Sequence, residues 1–353
     1  MRYLGLDVHS GATVWCLLDE AGETAGRGKV ATTAPALTAL VKRLSTEDEL
    51  LVGQEVGTMS YFVHDTMMAA GMKLLSFDAR MLRMIASSRK KTDRRDAFWI
   101  AKALQTGMTP HPVYIPSGEV RRLRQLLSQR DGLRRDQKRW LVRAKSAVRA
   151  AGLSTPASRS PAALLDKLSD HPDGLDRELA LVLDRCGRMH EMLTEEVTEL
   201  ERQILREARD INAIQRLQTI PGVGPWVSVT LYAWVGDISR FPSARRLAAY
   251  AGLVPSVWQS GDSQRSGGIT KQGSPALRTT LVQAGHVLLF RCRSEAAAPL
   301  KAIAMRVHSN RKRRKIAVVA AARHILRIAY YVLRDGTEYD PSRLARPTLQ
   351  AAE

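Results

Sequence analysis

The chain has 353 residues, 44% of them apolar and 25% charged, which excludes a disordered protein and leaves room for two or three packed domains. A formal charge of +19, from 54 Lys and Arg against 35 Asp and Glu, sets it apart from near-neutral metabolic enzymes and asks for a polyanionic partner, nucleic acid first. The plainer alternative is a solubilising basic surface.

In chain order, residues 2–32 read as three short strands, "RYLGLDV", "ATVWCLLD" and "GRGKVAT", separated by turns. A helix over 34–45, the strand "ELLVGQEV", a helix over 59–71 and the strand "KLLSFD" follow. Another helix starts near Thr92, whose side chain is placed to cap it. The order βββαβαβα fits a mixed sheet flanked by helices and is that of the RNase H-like fold.

From about residue 114 to 210 strand signals vanish and two long helices take over. Leu126, Leu133, Trp140 and Ala147 recur every seven residues, as in a coiled-coil seam. Leu179, Val182, Cys186, Met189, Leu193, Val197, Leu200 and Ile204 alternate three and four apart in the second. Residues 121–149 carry a net +9 and residues 176–210 a net −4, which favours antiparallel pairing, within one chain or between two copies. The stretch joining them, "LSTPASRSPAALLDKLSDHPDG", reads as a loop or linker.

Beyond residue 211, short helices broken by Gly and Pro predict a further, all-helical domain, and "PTLQAAE" reads as an unfolded tail. The apolar run "IAVVAAARHILRIAYYVL" is interrupted by Arg323, His324 and Arg327, so it reads as a buried amphipathic helix rather than a membrane span. The N-terminus "MRYLGLDVHS" has no signal-peptide pattern. Cys16, Cys186 and Cys292 are widely separated, which suggests neither a disulfide framework nor a zinc ribbon and fits a cytoplasmic protein.

Chemistry points first to carboxylates. Asp7 sits inside an apolar strand and Glu55 ends another, where a charge is costly unless it meets a cation or a polar cleft. Asp93 and Asp96, three apart, share one helical face in "KKTDRRDA". Taken singly, each has a plain reading as a turn acid, a loop acid or a first-turn acid that favours the helix dipole. Together they predict a shared site at one end of the sheet, where divalent cations, Mg²⁺ or Mn²⁺, offset the repulsion and serve phosphodiester chemistry. Lys90, Lys91, Arg94 and Arg95 beside them would hold phosphate.

Further along, "IPGVGPW" resembles a helix-hairpin-helix turn whose Gly222 and Gly224 would let backbone amides approach a phosphate, the plain alternative being a helix connector. The polar stretch "QSGDSQRSGGITKQGS" (259–274) reads as a long loop, functional or a flexible linker, holding Ser260, Arg265 and Lys271. No Gly-x-Ser-x-Gly elbow accompanies its serines, which argues against an ordinary serine hydrolase. Arg245, Arg246, Arg278 and the run Arg311, Lys312, Arg313, Arg314 and Lys315 form either a phosphate clamp or a solvated face. His9, His286 and His324 lack metal-ligand spacing and read as packing or surface residues.

Taken together, Asp7 in "LGLDVHS", Glu55 in "QEVGT", Asp93 and Asp96 in "KTDRRDA", and the run from "IPGVG" through "AAYAGLVP" to "SGDSQRSGGITKQGSPALR" resemble the DEDD-type transposases of a large bacterial insertion-sequence family, bridge-RNA-guided serine recombinases. The resemblance spans nearly the whole chain; Thr270 stands where the family often has serine, and Gln259 precedes Ser260. It implies an α/β plus all-α protein: an RuvC-like, RNase H-like mixed-sheet domain over 1–110, a coiled-coil hairpin over 111–210, an all-helical domain with the helix-hairpin-helix-like turn over 211–335, and a tail over 336–353. It also implies that Ser260 forms a covalent 5′-phosphoserine link to DNA, assisted by the four acids with Mg²⁺ from another subunit. Dimers or tetramers joined by the coiled coil would act on donor and target DNA chosen by a non-coding guide RNA, at the nucleoid when bound to DNA. A junction-resolving metal nuclease and an inactive nucleic-acid-binding relative remain the competing readings.

Overall fold

The computed structural model describes residues 1–45, 49–79, 82, 93–169, 175–260, 263–306 and 314–344, without the side chains of Val257, Gln259, Ser260, residues 263–266 and Leu344. The chain forms two compact units, Met1–Ile115 and Pro116–Glu353.

In the first unit, β1 (Arg2–Val8), β2 (Ala12–Leu18) and β3 (Thr24–Ala31) are joined by tight turns and pair antiparallel. Helices α1 (Ala34–Leu44) and α2 (Ser60–Ala69) then carry the chain across to β4 (Leu50–Glu55) and β5 (Leu74–Phe77), which pair parallel, because only a crossover brings the next strand back in the same direction. The result is a mixed five-stranded sheet in the order β3-β2-β1-β4-β5. Its last helix, α3, runs Asp93–Thr106; the predicted cap Thr92 lies outside the described residues.

Strand alternation gives this sheet two buried faces. Leu4, Leu6 and Val52 pack with Leu37, Val41, Val63 and Met67 of α1 and α2. On the opposite face α3 lies on the sheet through Ala97, Ile100, Ala101 and Leu104. Gly5 permits that approach: a Cβ there would overlap the Ala97 carbonyl oxygen and come within 2.6 Å of the Ala101 nitrogen. Gly53 is its register partner on β4, beneath Ile100 and Leu104.

In the second unit α4 (Gly118–Ala150) and α6 (Arg177–Ala208) pair with one another antiparallel. Gln137 Nε2 donates to Thr194 Oγ1 (2.6 Å), Arg130 reaches Glu201 (2.5 Å) and Arg122 reaches Glu207 (2.8 Å), so contacts descend one helix as they climb the other. The seam is rotated from the predicted one. Leu123, Leu127, Ala144 and Val148 are its buried residues on α4, and Leu183 is buried while Val182 is 43% exposed. Around Ala144 and Val148 the cause is α5 (Pro161–Ser169), a helix inside the stretch expected to be a loop, whose Leu164 and Leu168 draw in Leu179, Leu183 and Val148.

At the other end of the arms, Leu123, Leu127, Leu200 and Ile204 share a core with Ile214 of α7 (Asn212–Gln218) and Val229 and Ala233 of α8 (Pro225–Val235). Then come α9 (Ala244–Tyr250), α10 (Pro275–Phe290), α11 (Ala298–Met305) and α12 (Arg314–Asp335). The unit is not all-helical: β6 (Pro255–Ser260) and β7 (Ser263–Ile269) form a hairpin through most of the expected polar loop. Val257 and Trp258 favour extended backbone, and the Gly267–Gly268 pair on β7 hid the second strand. Of the described helices, α12 is long and apolar enough to cross a membrane, yet Ala321, Ala322, Ile325, Leu326 and Ala329 are core residues packed with Leu247, Leu281 and Leu288.

Candidate active site

Two strands of the first unit repeat one motif, Gly-x-acid: Gly5-Leu6-Asp7 on β1 and Gly53-Gln54-Glu55 on β4. Since Gly5 pairs with Gly53 and Leu6 with Gln54, Asp7 and Glu55 follow side by side on the face covered by α3. The glycines admit α3; the acids come just past them, where its first turn brings Asp93 and Asp96. Buried Gln54 steadies the end of β4 by donating from Nε2 to Ser60 O (3.1 Å) and Ser76 Oγ (3.0 Å).

His9, read from the sequence as a packing or surface residue, belongs to this cluster. Its Nε2 lies 3.2 Å from Asp7 Oδ2 and 3.5 Å from Asp93 Oδ2. The backbone of His9 is fixed on both sides, its N–H donating to Ala12 O (3.2 Å) and its carbonyl accepting from Thr32 Oγ1 (2.7 Å). Spacing two residues past Asp7 at the end of an extended strand was the available signal, because period two returns a side chain to the same face.

The donors suit a small divalent cation. One ligand atom each from Asp7, His9 and Asp93 lie within 4.8 Å of one another. Asp7 is 14% exposed, and its Oδ2 is buried without a well-aligned hydrogen bond among the described residues. Burial pushes the Asp7 carboxyl above its ordinary pKa and Asp93 and Asp96 push it further, while His9 partly opposes them. A buried carboxylate oxygen facing other acids lacks positive charge, and an oxygen-rich set with one imidazole matches Mg²⁺ or Mn²⁺.

Beside the cluster, an open groove of about 990 Å³ runs between β3 and the first half of α3, lined by Arg27, Lys29, Arg94, Arg95 and Phe98 with Asp93. Arg27 and Lys29 are residues the sequence reading passed over; alternation on β3 puts both on one face. Lys90 and Lys91 lie outside the described residues, as do Arg311, Lys312 and Arg313.

In the second unit Gly222 adopts φ +85° and packs on α10, where a Cβ would sit 3.0 Å from Leu288 Cβ; Gly224 is exposed at the start of α8. Arg245 and Arg246 are exposed on α9. Arg278 is half-buried and donates from Nη1 to Ala251 O (3.3 Å). Arg314 stacks over Phe290 (4.3 Å), and Lys315 beside it is exposed. Lys271 follows the hairpin, exposed, with φ 55°. Ser260 is the last residue of β6, paired with Ser263 across the hairpin end, and Arg265 pairs with Trp258.

Clustered acids beside exposed arginines, in a strongly basic chain, are the parts of a cation site that faces a polyanion. Comparison with known proteins makes the class definite. Residues 4–151 match the family profile of a DEDD-type IS110 transposase, and residues 214–301 match the Transposase IS116/IS110/IS902 family. The chain is 27% identical to the transposase for insertion sequence element IS1328 of Yersinia enterocolitica, over 85% of this chain and 88% of that protein. It is 28% identical to the transposase for insertion sequence element IS1111A of Coxiella burnetii, over 82% and 78% respectively. A pilin gene-inverting protein of Moraxella lacunata is 30% identical over 42% of this chain and 46% of its own. The chain belongs to the DEDD-type transposases of the IS110 family.

Proposed function

We propose that this transposase cuts and rejoins DNA to move its own insertion-sequence element, with Asp7, Glu55, Asp93 and Asp96 as the acids of a divalent-cation site in an RNase H-like first domain. The observation that carries the reading is the convergence of Asp7, His9 and Asp93 around a buried carboxylate oxygen. When bound, Mg²⁺ or Mn²⁺ supplies positive charge at the scissile phosphate. The protein's part is to hold the acids: His9 spans Asp7 and Asp93, and the β1 and β4 ends fix Asp7 and Glu55 in register. Arg27, Lys29, Arg94 and Arg95 line a groove suited to a phosphate backbone.

Ser260, at the end of the β6–β7 hairpin, is the nucleophile in this reading. Its Oγ loses its proton and bonds to phosphorus, the bond from phosphorus to the 3′ oxygen breaks, and the departing 3′ oxygen takes up a proton in its place, leaving a 5′-phosphoserine link that rejoining reverses. A gene-inverting relative is in keeping with cutting followed by rejoining. A non-coding RNA selects donor and target, leaving the basic chain to grip backbones. Val142, Leu181, Val182 and Met192 are exposed apolar residues on the arms, and they support assembly of two to four copies through the coiled coil.

A second reading is a metal-dependent junction-resolving nuclease without a covalent intermediate; it is favoured by a cluster assembled entirely within the first unit. A denaturing gel of protein with element-junction DNA and Mg²⁺ separates the two. The expected adduct forms with wild type and disappears with Ser260→Ala. Cleavage that depends on Asp7 but leaves no adduct and ignores Ser260→Ala would establish the nuclease instead.

A further inference from the structure

Helices α9 and α12 of the second unit meet through small residues and leave a groove of about 390 Å³ between them. Ala248 and Ala320 line it, and Arg245, Arg323 and Arg327 reach it with His324. On α12 the spacing of 320, 323, 324 and 327 keeps these residues on one side of the helix. Small side chains keep its walls low, so a ligand can approach the guanidinium groups closely.

What sets the groove apart is its missing acid. Arg245, Arg323 and Arg327 form no ion pair or hydrogen bond among the described residues, whereas on the arms Arg122, Arg130, Arg188 and Arg206 each meet a carboxylate. The segment 241–254 contains no Asp or Glu, and α12 has none before Asp335. Three arginines turned to one place without a counter-ion repel one another unless an anion joins them. Two of them act on His324 beside them on α12, whose pKa is held below the ordinary value by burial first and then by Arg327 and Arg323.

We propose that the α9–α12 groove is a phosphodiester clamp, in which Arg245, Arg323 and Arg327 together hold one backbone phosphate of a nucleic acid. The geometry suits phosphate, whose oxygens accept several guanidinium hydrogen bonds at once. The clamp is a gripping site without chemistry, independent of the acid cluster and of Ser260. Whether the phosphate comes from DNA or RNA is decided by the probe that loses affinity.

The test is binding of a labelled DNA duplex and a labelled RNA stem, across a salt series, to full-length protein carrying Asp7→Asn to prevent cleavage. Arg323→Gln with Arg327→Gln is compared with a charge-matched control, Arg139→Gln with Arg188→Gln, whose arginines are exposed and already paired with acids. Expected is a loss of about tenfold at low salt on at least one probe, with the slope of log affinity against log salt reduced by about 1, and little change in the control. Thermal melting verifies that both variants fold, and Arg245→Gln alone gives a smaller loss should the double variant fail to do so. An equal loss in groove and control variants would reduce the effect to net charge and overturn the clamp. So would unchanged binding to both nucleic acids, including the case where only a melting shift produced by inorganic phosphate is lost. Failure here leaves the adduct experiment untouched, so the clamp and the proposed reaction stand or fall separately.

Discussion

Charge is handled in opposite ways on the coiled arms and at the acid cluster. Burial alone would raise the Glu201 carboxyl, yet hydrogen bonds from Arg130 and Arg134 carry its pKa below the ordinary value. At Asp7 burial has the largest influence and moves the pKa up; His9 opposes it, and the like-charged Asp93 and Asp96 add to the rise. Paired charge on the arms fixes the register of two helices. Charge of one sign left together is unfavourable for the folded protein by itself, and is expected where an ion or substrate completes the structure.

The contrast predicts that Asp7→Asn, by removing a buried like charge, has opposite effects on reaction and fold. Metal-dependent strand cleavage should fall about 100- to 1000-fold, the loss expected when one electrostatic stabiliser is removed. Metal-free protein should melt about 2–4 °C higher, read by thermal scanning. A variant that keeps full cleavage would remove Asp7 from the site.

Gly5→Ala attacks the same cluster through its support. Overpacking against Ala97 and Ala101 should cost about 1–3 kcal/mol in urea denaturation and weaken Mn²⁺ binding without touching a ligand. On the arms, Thr194→Val leaves the buried Gln137 Nε2 without its partner and should cost about 1–3 kcal/mol, whereas Gln137→Leu leaves an exposed Thr194 that still donates to His190 O, so adding it to Thr194→Val should recover most of the loss in a double-mutant cycle. Additive losses would mean that the pair is not coupled.

The smallest expected effect is on pH dependence. Burial lowers the pKa of both His190 and His324, so the unfolded chain takes up protons first as pH falls. Stability from these groups should be level above about pH 6.5 and decline below it. Melting temperatures between pH 7.5 and 5.5 test this, and a flat profile would mean that neither imidazole is shielded.

How much of this was legible in the sequence depended on whether a signal was periodic or positional. The strand and helix order of the first unit followed from alternation and turn residues, and Asp7 and Glu55 stood out as acids at the ends of apolar strands. His9 did not, because it lies just past the end of β1 and only the period-two repeat of the strand links it to Asp7. In the arms, heptad spacing found the helices but misplaced the seam, since α5 reshaped the buried stripe near Leu183. The β6–β7 hairpin was hidden by Ser, Gly and Gln, whose composition reads as loop although pairing supplies the order. Unpaired arginines on α12 were invisible for another reason: a missing counter-ion is a property of three-dimensional neighbours.

The 33-residue α4 also has a mechanical consequence. At 1.5 Å per residue it is a rod about 50 Å long, set at one end in the core shared with α7 and α8. The far end is capped by its own apolar cluster around Leu164 and Leu183, so it travels as a stiff piece. A tilt of about 6° at the base therefore sweeps the tip through about 5 Å. Geometrically the arm is a lever: a small rotation near α8 becomes a far larger displacement at the end that carries Leu164 and Leu183.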